Sequence, residues 1–156
     1  MAQKTATTTK KTSTKTSTFT EDEKDAMRER AKESKAQSRR DPEAQKIEGT
    51  KEVLAKIADM PGPDRTIAER LHTLITETAP VLVPRTYYGM PAYSKDGKVV
   101  VFFKPASKFG VRYATLGFED AAMIDDGEMF PTSYGIKELV PADEARITDL
   151  VRKAVS

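Results

Sequence analysis

The residues best suited to chemistry in this chain are carboxylates. Asp125, Asp126 and Glu128 are crowded around Gly127, with Glu119 and Asp120 a few positions upstream. Such oxygen ligands are hard, and on a flexible loop they could hold a metal ion loosely enough to release it. An Asp-Asp-Gly run is equally the composition of a solvated turn, and the acidic helix positions Glu48, Glu52, Glu69 and Glu77 are no more specific. With no cysteine in the chain, thiolate zinc sites, thiol catalysis and cysteine-held clusters are excluded. His72 is the single histidine. It flanks an apolar stripe, where an imidazole is more often packed than ligating. The glycines at 89, 97, 110, 117, 127 and 135 are isolated and form no phosphate-cradling loop. No nucleophile, base and orienting acid can be placed together, so the expectation is a protein without catalytic residues.

A second set is aromatic. Tyr87, Tyr93, Phe102, Phe103 and Tyr113 fall on expected strands among Lys98, Lys104, Lys108 and Arg112. They could form a stacking platform for single-stranded nucleic acid, or they could be core. Alternation along the strands separates the two readings, because rings that face the helices cannot stack on bases.

The elements that must position these groups divide the chain in three. Residues 1–18 are rich in Thr, Ser and Lys and contain no acid, so they read as a disordered basic tail. Lys4, Lys10, Lys11 and Lys15 supply more than the whole net charge of +2. The tail therefore suits weak, non-specific contact with nucleic acid, and the remainder is slightly acidic. Residues 19–40 read as a charged helix, loosely attached: Thr20 and Glu23 form a capping box, and acidic and basic rows alternate at i,i+3. Residues 41–156 carry the domain.

Within it, Asp41-Pro42 opens a second helix with Ile47, Leu54 and Ile57 on one side and an interruption near Gly49. A third helix from Asp64 carries Ile67, Leu71, Leu74, Ile75 and Thr78 as one stripe. Strands follow near 85–88, 92–94, 99–103, 110–115 and 132–139, with Asp96-Gly97 as the clearest hairpin turn and a short helix at 119–123. Pro141 opens a last helix striped by Ile147, Leu150, Val151, Ala154 and Val155. The order predicts an α+β fold, a five-stranded antiparallel sheet with helices packed on one face. No stretch approaches the roughly 20 apolar residues of a membrane span, so a cytoplasmic protein is expected.

The run Tyr88-Gly89-Met90-Pro91-Ala92-Tyr93, the hairpin from Lys95 to Phe103, Arg112-Tyr113-Ala114-Thr115 and Ile136-Lys137-Glu138-Leu139-Val140-Pro141 together resemble the YdhG-like domain family (domain of unknown function 1801). The likeness spans residues 41–155. It implies a layout similar to frataxin and, for some members, an iron chaperone that delivers iron to iron–sulfur cluster or haem assembly proteins. On that reading Asp125, Asp126, Glu128, Glu119 and Asp120 would be the iron ligands. Tyr88, Gly89, Met90, Pro91 and Tyr93 would frame a partner or ligand surface around a stiff bend that joins the helical layer to the sheet. The competing expectation is a protein-interaction or nucleic-acid-contacting module.

Overall fold

Two turns of one kind organise the sheet. In the computed structural model, which describes residues 20–37 and 41–156, Asp96 and Gly97 both have positive φ, 52° and 78°. Tyr88 and Gly89 repeat the pattern at 52° and 74°. A two-residue primed hairpin needs this combination. Asp-Gly adopts it readily; a tyrosine does so only where the surroundings hold it. Tyr88-Gly89 is therefore a hairpin turn inside the sheet, not the bend between the helical layer and the sheet that the motif suggests. The expected tail and the ends of the expected charged helix, residue 19 and residues 38–40, lie outside the described residues.

The strands are β1 (Val83–Tyr87), β2 (Met90–Lys95), β3 (Lys98–Lys104), β4 (Ala114–Phe118) and β5 (Ser133–Ile136), antiparallel and in the order β1-β2-β3-β4-β5. β4 begins later than expected because residues 106–111 fold into a turn, with Val111 N–H donating to Ala106 O at 3.0 Å and Gly110 at φ 62°. Residues 119–123 make a turn, closed by Ala122 N–H on Glu119 O at 2.9 Å, rather than a helix.

Register decides which rings are core. Tyr93 pairs with Val101, Val101 with Phe118, and Phe103 with Leu116, so these side chains share one face. Helices α2 (Pro42–Ala58), α3 (Gly62–Thr78) and α4 (Pro141–Ala154) close over it. Ile67, Leu71 and Ile75 of α3 and Ile147, Val151 and Ala154 of α4 are buried there, as their spacing predicts. Each large aliphatic side chain buried this way contributes about 1.5–3 kcal/mol.

In α2 the buried face is different from the expected one. Ile47 and Leu54 are 54% and 48% exposed, and Gly49, Val53 and Ile57 turn inward at four-residue intervals. Gly49 does not interrupt the helix. It lets α2 press on β1 so closely that a Cβ there would lie 2.0 Å from the Pro84 carbonyl oxygen.

A first helix, α1 (Glu21–Gln37), keeps its capping box: Thr20 N–H donates to Glu23 Oε2 at 2.9 Å, and Glu23 N–H to Thr20 Oγ1 at 3.2 Å. It does not join the other three over the core. Its Arg30 lies over the Tyr87 ring, and its Ala26 and Met27 line a hollow with Tyr88, Met90, Lys104 and Phe109. No helix among the described residues is long and apolar enough to cross a membrane.

Candidate functional site

The carboxylates singled out by sequence lie on or beside the connection between β4 and β5. Asp125, Asp126 and Glu128 are exposed, and the Asp125 carbonyl accepts from Lys153 Nζ at 2.7 Å. Asp120 is exposed, whereas Glu119 is half-buried and turns to the Tyr87 hydroxyl, 3.5 Å from its Oε1. Among the described residues, no three His, Asp or Glu side chains gather into a group that could hold a metal ion.

The Tyr88–Tyr93 motif is mostly interior. Gly89, Met90, Pro91 and Tyr93 are buried, and only Tyr88 keeps a half-buried ring within reach of a partner. Tyr93 lies under α3, its hydroxyl 2.8 Å from His72 Nδ1. Burial lowers the His72 pKa from 6.5 and raises that of Tyr93, so the pair is a neutral, hydrogen-bonded core contact. That contact accounts for the lone histidine.

Polar groups hold the hairpin to α1. Gly89 N–H donates to Glu33 Oε1 at 2.9 Å, while Glu33 Oε2 is buried without a well-formed hydrogen bond. Burial raises the Glu33 carboxyl above its ordinary 4.5, and the Gly89 amide opposes it. Glu29 Oε2 meets Lys56 Nζ at 3.5 Å and Lys108 Nζ at 3.3 Å, and Arg30 sits 5.3 Å from the Tyr87 ring centre. A side chain at position 89 would collide with Glu29 and Lys108, at 1.8 Å and 2.0 Å from its Cβ.

The outward face of the sheet is the more suggestive surface. Ala92 pairs with Phe102 and Phe102 with Gly117; Lys104 pairs with Thr115 and Thr115 with Gly135. These residues alternate away from the helical core. The Phe102 ring lies over Gly117, where a Cβ would come within 2.2 Å of it, and the Tyr113 ring lies over Gly135. Gly117 and Gly135 are diagonal neighbours, a separation of roughly 7–8 Å in a sheet. Tyr87 extends the row, 5.9 Å from Phe102 and 4.7 Å from Tyr88 between ring centres. Arg112 borders it, 5.1 Å from the centre of the Tyr113 ring, and Lys104 shares the face of Phe102 two positions along β3, its Nζ 5.0 Å from the Phe109 ring centre. Arg85, on the same face, is buried, which lowers its pKa.

Of the five aromatics named from sequence, Tyr93 and Phe103 are core, while Tyr87, Phe102 and Tyr113 point outward. The glycine seats under two of these rings were missed. For Gly135, inside the expected strand at 132–139, the available signal was a glycine in a strand pattern, which marks a close approach; Gly117 lies beyond the expected strand at 110–115 and carries no such signal. Comparison of the chain with family models, with curated proteins and with solved structures finds no match.

Proposed function

We propose that this chain is a non-enzymatic, YdhG-like binding module that takes single-stranded nucleic acid on the outward face of its sheet. One observation carries the reading: Phe102 and Tyr113 turn away from the helical core, each ring laid over a strand glycine, with Arg112 and Lys104 beside them. A ring resting on glycine has no side chain beneath it to tilt it, so its outer face is flat for stacking. Base–aromatic stacking contributes about 1–3 kcal/mol per base and tolerates any sequence. The lysines of the N-terminal segment would add salt-sensitive phosphate attraction. Among the described residues no comparable gathering of ligands favours the iron reading.

The test is fluorescence anisotropy of labelled oligo(dT) and oligo(U) with the full chain. Micromolar binding that weakens about tenfold in Tyr113→Ala and in Phe102→Leu is expected, since a tenfold change is about 1.4 kcal/mol. A variant with Lys4, Lys10, Lys11 and Lys15 changed to Gln should lose most of the salt dependence yet keep its sensitivity to Tyr113→Ala. If the lysine changes abolish binding and the ring changes do nothing, the platform is wrong. Calorimetric titration with Fe(II) and Fe(III) runs in parallel. Micromolar heat that disappears when Asp125, Asp126 and Glu128 become Asn, Asn and Gln would favour iron handling instead.

A further inference from the structure

A groove of about 490 Å³ runs between β5 and α4, within the size range of ligand sites. Leu116, Leu139, Ile147 and Leu150 give it an apolar lining, and Tyr134, Gly135 and Ile136 of β5 form one wall. Three cations stand around it: Arg112, Lys137 and Arg146. The Arg146 guanidinium lies over the Tyr134 ring, 4.9 Å from its centre. Among the described residues none of the three makes an ion pair, although other surface cations of the helices do, such as Arg65 with Glu69 and Arg70 with Glu144. Two carboxylates, Glu138 and Asp143, also line the groove. They leave a small positive excess, which suits a monoanion better than a doubly charged phosphate.

The wall is a sheet edge. β5 is last in the strand order and pairs only with β4. Its other side therefore offers free N–H and C=O groups to an incoming strand. A small organic acid cannot use that row of donors and acceptors, but an extended main chain can.

We infer that this groove captures the C-terminal end of an extended peptide. The peptide adds to β5 as a sixth strand, by the general mode of edge augmentation. Its last side chain, which must be apolar, enters the pocket of Leu116, Ile147 and Leu150, and its terminal carboxylate meets Arg146 and Lys137. A guanidinium matches a carboxylate in two parallel hydrogen bonds, and the cation–π contact with Tyr134 keeps Arg146 beside the strand. Arg112, Tyr113 and Gly135 border both this groove and the stacking face, but the anchors used here, Arg146, Lys137 and the β5 edge, are separate from that face, and the inference does not depend on it.

Four labelled hexapeptides of Thr and Val, ending in Leu, Ile, Val or Phe with a free carboxylate, provide the test by fluorescence anisotropy on the full chain. At least one should bind at tens of micromolar. Its C-terminal amide should bind at least tenfold more weakly, and Arg146→Gln should cost a similar factor. Arg146 is exposed on α4, so that substitution is not expected to disturb folding; an unchanged circular dichroism melt checks this. Amide shifts on Tyr134, Gly135 and Ile136 in the labelled protein should accompany binding by the acid peptide. Equal binding of acid and amide, indifference to Arg146→Gln, or no binding by any of the four at 1 mM peptide overturns the inference. N-acetyl-leucine binding as tightly as the peptides would overturn it too, by making the site one for small acids.

Discussion

The sheet ends in two unlike strands, and a glycine decides the packing at each border. β1 has Pro84, Arg85 and Thr86 buried, and α2 is pressed against it through Gly49. β5 exposes Ser133 and Gly135 and buries only Ile136. At β1 the glycine makes room for backbone, so a helix can close the strand off. At β5 the glycine makes room for the Tyr113 ring, so one face is covered by an aromatic side chain while the edge stays open. A glycine in α2 costs about 1 kcal/mol relative to alanine in helix propensity, and the packing of α2 on β1 must return more than that. The contrast teaches that the missing Cβ serves protection at one border of the sheet and access at the other.

Replacing the two glycines should give unequal losses. Gly49→Val puts a side chain into the Pro84 carbonyl, an obstacle of backbone that cannot rotate away. A loss of about 2–3 kcal/mol in urea unfolding is expected, in the range of overpacked cores; a loss below about 0.5 kcal/mol would mean that α2 does not rest on β1 as described. An intermediate effect belongs to the hairpin beside β1. Protonation of Glu33 favours the docked α1, because burial holds its native pKa above 4.5. Docking should therefore strengthen as the pH falls through that raised value, and stop gaining below 4.5, where the undocked carboxyl is protonated as well. Hydrogen exchange at the Gly89 amide, corrected for intrinsic rate, should slow as the pH is lowered from 7 towards 4.5. Glu33→Gln should abolish this change while leaving the Glu29 ion pairs in place, so the difference between the two proteins isolates Glu33. The smallest effect is expected from Gly135→Ala. Its Cβ would come 3.0 Å from the edge of the Tyr113 ring, which can swing outward. Stability should change by no more than about 0.5 kcal/mol, and a loss as large as that of Gly49→Val would erase the distinction between the two borders.

Much of the fold can be read from local chemistry. The capping box at Thr20, the Asp96-Gly97 turn and the stripes of α3 and α4 each depend on residues a few positions apart, and all appear in the structure. What is harder to read depends on partners brought from far along the chain. Gly49 looks like a helix breaker until the β1 backbone is beside it. Val53 outranks Leu54 because the contact with β1 sets the rotation of α2. Tyr88 lacks the composition of a hairpin turn, yet Glu33 and Lys108 hold the loop through the Gly89 amide and the Tyr88 carbonyl. The site follows the same division. Alternation alone distinguishes outward Phe102 from inward Phe103, but the register that lays Phe102 over Gly117 does not follow from either segment by itself. Asp125, Asp126 and Glu128 are close in sequence, and closeness in sequence did not make them converge.

The paired turns at Tyr88-Gly89 and Asp96-Gly97 also bear on how the chain acquires its structure. They join β1, β2 and β3 through the shortest loops that antiparallel strands allow, so closing them costs little chain entropy. These three strands can assemble from neighbours alone, on the microsecond scale of isolated hairpins. β5 must wait for the whole stretch from 119 to 132 to fold back before it can pair with β4. β5 is thus the edge strand with the longest connection in the sheet, and its pairing carries the largest loop-closure cost of the four strand pairs.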